Sequence, residues 1–252
     1  MSEQTVTRRK DTALRALKLV DLTNLADECS DLDIEALIAA GQTPHGHVAA
    51  LCVWPDFVAQ AKTALAGTGI KIATVVNFPR GDDVVEPVLA EIKEALENGA
   101  DEIDLVWPYR AFLEGREQIC FDMIAKAKAA LTDGVMLKVI LESGALTSPD
   151  TIYSASELAL SAGADMLKTS TGKIETGATL DAARAMLEAI KTSGKSAGFK
   201  ASGGVGTLDD AAAYLALADE IMGPDWATAD NFRFGASSLI AKLRAELDNP
   251  EV

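Results

Sequence analysis

The feature that most constrains this chain is a unit repeated from one end to the other: a short apolar run, a polar or glycine-rich turn, then a helix-period segment closed by glycine. The apolar runs are KLVDL (18–22), AALCV (49–53), KIATVV (71–76), EIDLVW (102–107), MLKVIL (136–141), MLKTS (166–170), AGFKA (197–201) and FRFG (232–235). Helical periodicity covers 31–40, 55–66, 83–98, 117–132, 149–162, 180–193, 208–222 and 237–247. In 83–98, Val84, Val85, Val88, Leu89, Ile92 and Leu96 form one stripe opposite Glu91, Glu94 and Glu97, as in a helix lying on a core. Pro87 falls in its first turn, where the missing N–H costs little. Ser148 before Pro149, Thr179 and Thr207 are the expected N-caps. Gly41, Gly67, Gly99, Gly134, Gly163, Gly194 and Gly223 are the expected left-handed C-terminal positions.

Strands alternating with helices pair in parallel through helical crossovers. Eight such units can form an open doubly wound sheet or a closed barrel. Closure is favoured because no linker or composition shift divides the chain and no long antiparallel edge strand is present. Polar residues also occupy alternate positions inside several runs, where a barrel lumen would lie. The expectation is a single (β/α)8 TIM barrel over 1–252, with residues 1–16 forming an extra helix beside its bottom. The 252 residues match the typical size of such a barrel, and 48% hydrophobic residues supply its core.

With 23 Lys and Arg against 38 Asp and Glu, the net charge of −15 argues against nucleic acid or an anionic membrane as partner. No apolar run approaches the ~20 residues of a membrane span, and the start reads as no signal peptide. The odd set Cys29, Cys52 and Cys120 forms no CxxC pair, which suits a reduced cytoplasmic protein.

Three lysines occupy the middle of three successive runs: Lys138 in LKVI, Lys168 in MLKTS and Lys200 in GFKAS. Strand side chains alternate faces, so neighbours such as Leu137, Val139 and Leu167 pack under helices while the lysines enter the lumen. Buried lysines need a partner or a function. Each could form a structural ion pair, but three on adjacent strands, with Asp104 and Asp21 nearby, suit covalent catalysis better. A lysine attacks a carbonyl only as the neutral amine, against a free pKa near ~10.4. Burial lowers that value, and a second ammonium lowers it further. Two unit charges ~4 Å apart at an effective dielectric of ~20 repel by roughly 4 kcal/mol, or about three pKa units. Lys168 and Lys200 suit the roles of nucleophile and charged neighbour. Asp104 is placed to move protons around a Schiff base, directly or through a water; a role as counter-ion to Lys138 or Lys168 is compatible with that one.

Glycines cluster after the last three runs: Gly172 with Lys173, Gly203 with Gly204, and Gly235 before Ser237 and Ser238. Phosphate-binding barrels use the loops after strands seven and eight and a helix N-terminus. Ordinary turns with a serine cap are the plainer alternative for any one loop alone. TSTGKI lacks the earlier glycine of a P-loop, and GGVGTLDD does not match the dinucleotide fingerprint. His45 and His47 lack a third ligand, so no metal is expected. Cys52 and Ser170 are candidates for lining the cavity, although a small core residue explains Cys52 equally well.

The segments LRALKLVDLT, TPHGHVAALCVWPDF, IATVVNFPRG, GADEIDLVWPYR, LKVILESG, GADMLKTSTGK, GFKASGG and FRFGASSL together resemble the deoxyribose-phosphate aldolase family, over nearly the whole chain. The resemblance implies class I, cofactor-free, reversible cleavage of 2-deoxy-D-ribose 5-phosphate to D-glyceraldehyde 3-phosphate and acetaldehyde, in nucleoside catabolism. It makes Lys168 the Schiff-base lysine and Lys200 its charged neighbour. Asp104 moves protons through a water, Lys138 and Asp21 support the network, and the glycine and serine cluster holds phosphate. Two departures stand out. Ala201 and Ser202 replace the Pro and Ala of many relatives, and the chain ends LDNPEV where some relatives carry a tyrosine. Competing readings are another Schiff-base aldolase or a transaldolase, a phosphosugar isomerase with Asp104 as base, and a non-catalytic phosphate-binding barrel. Barrel helices can support a monomer or a homodimer equally well.

Overall fold

The computed structural model describes residues 3–249 and contains all eight expected strands. They are β1 (Val20–Asn24), β2 (Ala50–Val53), β3 (Lys71–Val76), β4 (Glu102–Val106), β5 (Met136–Ile140), β6 (Met166–Lys168), β7 (Gly198–Ser202) and β8 (Phe232–Ala236). Each of these eight pairs in parallel with its sequence neighbours, β8 pairs with β1 to close a barrel, and Gln42–Thr43 and Gly46–His47 form a short antiparallel pair outside it. The register sets Asp104 beside Lys138 and Lys168 beside Lys200.

The helices are α1 (Glu3–Leu17), α2 (Asp31–Gly41), α3 (Val58–Ala64), α4 (Val85–Glu97), α5 (Tyr109–Leu113), α6 (Glu117–Ala130), α7 (Ser143–Leu146), α8 (Pro149–Ser161), α9 (Leu180–Ser193), α10 (Leu208–Met222) and α11 (Leu239–Asp248). Leu137, Val139, Leu167 and Phe199 are fully buried in the apolar layer between strands and helices. Alternation on the strands therefore sends one set of side chains outward to that layer and the other inward to the lumen. Among the described residues no helix is long and apolar enough to cross a membrane.

Ser148, Thr179 and Thr207 all cap as expected, accepting from the backbone N–H of Thr151, Ala182 and Asp210. Six of the seven expected glycines take positive φ. Gly41 does not: it ends α2, and a Cβ there would lie 3.1 Å from Leu51 Cδ2 and 3.2 Å from Val48 Cγ2. Its smallness serves close packing rather than a left-handed turn.

The leader is helical over the described residues and packs against α10 and α11. Arg9 pairs with Asp209 near the start of α10 at 2.8 Å, and Arg15 pairs with Asp219 near its end at 2.6 Å. Ala13, Ala16 and Leu17 bury its inner face. The short helices α5 and α7 have too few residues to show a period, and both lie in loops above the barrel. Residues 250–252, part of the departing C-terminus, lie outside the described residues.

Thr207 and Asp210 form a reciprocal capping box at α10, so Thr207→Ala should destabilise the fold by about 1 kcal/mol. Urea denaturation at equilibrium measures this, and an unchanged midpoint would show that the box contributes nothing.

Candidate active site

The inward faces of the strands bring seven charged side chains into one sealed lumen. Asp21 comes from β1, Glu102 and Asp104 from β4, Lys138 from β5, Lys168 from β6, Lys200 from β7 and Arg233 from β8; none is more than 2% exposed. Four are cations and three are carboxylates. Burial of unpaired charge is expensive, so their distribution decides which groups stay ionised.

The partners are shared unequally. Lys138 Nζ reaches three carboxylates: Glu102 at 2.5 Å, and Asp21 and Asp104 at 3.0 Å each. Lys200 Nζ reaches two, Asp21 Oδ2 at 2.5 Å and Asp104 Oδ2 at 2.8 Å. Lys168 Nζ reaches one, and it is the same Asp104 Oδ2, at 2.8 Å. Lys168 and Lys200 therefore lie within twice that distance of each other, across a single oxygen. Arg233 closes the network from below, pairing with Asp21 Oδ1 at 2.5 Å and Glu102 Oε1 at 2.7 Å.

Protonation follows this ladder. Burial pushes all three lysines toward the neutral amine. For Lys138 the carboxylates of Asp104, Asp21 and Glu102 overcome it and hold the ammonium well above its ordinary range. For Lys200, Asp104 and Asp21 also outweigh burial, and the shift is upward. For Lys168, burial prevails over the pull of Asp104, the charge of Lys200 adds to it, and the net shift is downward. Burial would raise Asp104, but Lys138, Lys168 and Lys200 outweigh it and hold the carboxyl well below the usual range. Asp21 is likewise lowered, with Lys138, Lys200 and Arg233 outweighing burial.

Above the lysines a cleft of about 460 Å³ opens at the C-terminal end of the strands. Gly172, Lys173, Gly203, Gly204, Gly235, Ser237 and Ser238 all line it, joined by Thr171, Ser202 and the turn after β1. Ser238 immediately precedes α11, so that helix start opens onto the cleft. Lys173 leans across the mouth, 2.9 Å from Asp27 and 5.9 Å from the centre of the Trp54 ring. Gly235 has a tighter reason to be glycine: a Cβ there would lie 2.9 Å from Lys200 Cε and 2.8 Å from Ser202 Oγ. The floor of the cleft thus rests directly on the lysine network.

Ser170 is buried and donates its hydroxyl to the Ser202 carbonyl, so Thr171 is the neighbour that reaches the cleft. Cys52 packs with Leu25, Ala73 and Val75, and burial raises its thiol. His45 pairs with Asp248 at 2.7 Å, away from this site. Ser202, one of the departures, exchanges hydrogen bonds with Thr169: its N–H donates to Thr169 Oγ1 at 2.9 Å, and its carbonyl accepts from the same hydroxyl at 3.0 Å.

A model of the DeoC/LacD family of aldolases matches residues 15–243. The chain belongs to this family. As an aldolase of the DeoC/LacD group it is a carbon–carbon lyase, which gives the buried lysines a chemical setting. Solved structures agree. A Toxoplasma gondii ME49 protein assigned as a deoxyribose-phosphate aldolase superposes with a TM-score of 0.89 at 26% identity, covering 97% of this chain and 99% of that one. A Coccidioides immitis protein with the same assignment gives 0.81 at 27%, covering 96% of each. The deoxyribose phosphate aldolase of Aeropyrum pernix, described as a tetramer, shares the fold at 0.75 and 24% identity, covering 97% and 98%.

Two members of this aldolase's lumen network, Glu102 and Arg233, escaped the sequence reading. Glu102 lies two residues before Asp104 on the same strand and so shares its face; the i, i+2 spacing was the available signal. Arg233 stands beside Lys200 in the register, as the central cation of FRFG. Removing it leaves Asp21 Oδ1 and Glu102 Oε1 without their charged partner in a buried site, with only the lysines on the other oxygens of each carboxylate. Arg233→Met should therefore cost about 3–5 kcal/mol of stability in chemical denaturation. The exposed Arg184, paired with Glu220, serves as the comparison, and its alanine variant should change little. Equal losses would refute the buried-charge argument.

Proposed function

We propose that this aldolase cleaves 2-deoxy-D-ribose 5-phosphate to D-glyceraldehyde 3-phosphate and acetaldehyde, reversibly, through a Schiff base on Lys168. The observation that carries the proposal is the partner ladder: Lys168 has one carboxylate, shared with a lysine that has two. It is the one lysine of the three driven toward the free amine, and it faces one held as ammonium across Asp104 Oδ2. The assignments of the Toxoplasma and Coccidioides relatives support the choice of substrate.

Lys168 Nζ attacks the C1 aldehyde of the open-chain sugar, and loss of water leaves an iminium. A proton leaves the C3 hydroxyl, the C2–C3 bond breaks, and its electron pair enters the iminium to give an enamine. Glyceraldehyde 3-phosphate departs. Protonation at C2 and hydrolysis then return acetaldehyde and the free amine. Asp104, anionic among three lysines, is too weak a base to take protons alone; its part is to orient a water that moves them. Lys200 keeps the second charge, and Lys138 and Asp21 hold Asp104 and Lys200 in place. The phosphate occupies the glycine-lined cleft, taking N–H donors from the loops after β6 and β7 and the start of α11. The unpaired thiols of Cys29, Cys52 and Cys120 suit a cytoplasmic role in nucleoside catabolism.

Incubation with acetaldehyde and sodium borohydride should place one ethyl group on Lys168, located by peptide mass spectrometry, and Lys168→Ala should abolish it. No adduct on any lumen lysine would defeat the Schiff-base mechanism, and an adduct on Lys200 would reverse the two lysine roles. A second test uses pH. The Lys200 charge disfavours a proton on Lys168, so removing it lets Lys168 hold its proton to higher pH. The acidic limb of kcat/KM in Lys200→Leu should move upward by about one to three units. A limb that stays in place would show that Lys200 does not set the nucleophile's protonation.

A further inference from the structure

The segment after β5 carries a buried acid that the proposed mechanism leaves unused. Glu142 is completely buried, and its backbone is left-handed, with φ 54° and ψ 56°. A non-glycine residue in that region is uncommon and is held there by its surroundings. Both carboxyl oxygens face Thr171, one accepting from its backbone N–H at 3.2 Å and the other from its hydroxyl at 2.6 Å. The Thr171 hydroxyl oxygen in turn accepts the backbone N–H of Lys173 at 3.0 Å.

Contacts on either side make this clasp part of a longer grip. The Leu141 N–H donates to the Lys168 carbonyl at 2.9 Å and the Ser143 N–H to the Thr169 carbonyl at 2.8 Å. Further along, α7 presses on the same loop, and a Cβ at Gly144 would lie 2.2 Å from the Thr176 carbonyl oxygen. One short segment therefore holds the loop from the end of β6 to residue 176. That loop supplies Thr171, Gly172 and Lys173 to the cleft. Backbone N–H groups bind an anion well only when they already point at it, since an unheld loop must be ordered on binding.

We infer that Glu142 is a positioning residue which fixes the anion-binding conformation of the loop after β6 and so sets the preference for phosphorylated over unphosphorylated aldehydes. The inference rests on reading the cleft as the phosphate site. Glu142 itself touches no substrate; it acts through Thr171 and the amides that follow. Gln at this position keeps one oxygen for Thr171, whereas Ala keeps none.

The test compares D-glyceraldehyde 3-phosphate with D-glyceraldehyde as acceptors for acetaldehyde, and uses inorganic phosphate as an inhibitor. In Glu142→Ala, the ratio of KM for the phosphorylated acceptor to KM for the unphosphorylated one should rise by about tenfold or more, equivalent to about 1.4 kcal/mol. Inhibition by phosphate should weaken in parallel, and Glu142→Gln should recover most of both. Thr171→Val removes the hydroxyl half of the clasp while keeping its N–H. It should shift the ratio in the same direction by less, and it decides the matter if the alanine variant does not fold. Equal KM changes for both acceptors, or an unchanged response to phosphate in folded variants, would overturn the role of Glu142. A wild-type enzyme indifferent to phosphate would instead remove the phosphate reading of the cleft, and this inference with it.

Discussion

Everything at the centre of this barrel depends on one carboxylate being outnumbered. Asp104 meets three lysine amino groups where almost no water can screen them, and it cannot hold all three as ammonium. Lys138 and Lys200 have other carboxylates to lean on, and Lys168 has none. The shortage therefore falls on a particular residue, and the barrel's geometry determines which. Hydrophobic packing outside the strands makes this arrangement affordable: Leu137, Val139, Leu167 and Phe199 lock the strands that carry the charges.

Most of the barrel was legible because two periods coexist in the sequence. A period of two on the strands separates lumen from outer layer, and a period of 3.6 on the helices covers that layer. The same alternation exposed the three lysines. Glu102 and Arg233 were harder to see. The acidic start of EIDLVW resembles a strand entrance at a solvated edge, and an arginine in FRFG reads equally well as a surface residue. Only closure, with β8 beside β1, brings Arg233 against Asp21 and Glu102. A partnership across the closing seam leaves no local pattern to read.

The cleft was legible as a set of small residues but not as a shape. Glycines in three loops announced that backbone would approach something closely. They did not reveal that Gly235 is also pressed from beneath by Lys200, or that Lys173 leans toward Asp27. Glu142 showed no signal because a left-handed glutamate looks ordinary in one dimension. The short helix α7 escaped for the same reason as α5, with too few residues to establish a period. The leader's helix was clear, yet its packing on α10 and α11 is fixed in part by Arg9 and Arg15 meeting acids two hundred or more positions away.

The seam between β8 and β1 has a consequence for how the molecule comes into being. Asp21 and Arg233 are separated by 212 positions yet meet in the lumen. A growing chain that has released only seven strands already carries all three lysines. Its sheet is still open along one edge, water can enter, and Asp21 lacks its guanidinium. In that solvated state lysines keep their ordinary affinity for protons, and none is a ready nucleophile. On the proposed mechanism, the attacking amine is thus a property of the closed ring rather than of any one strand.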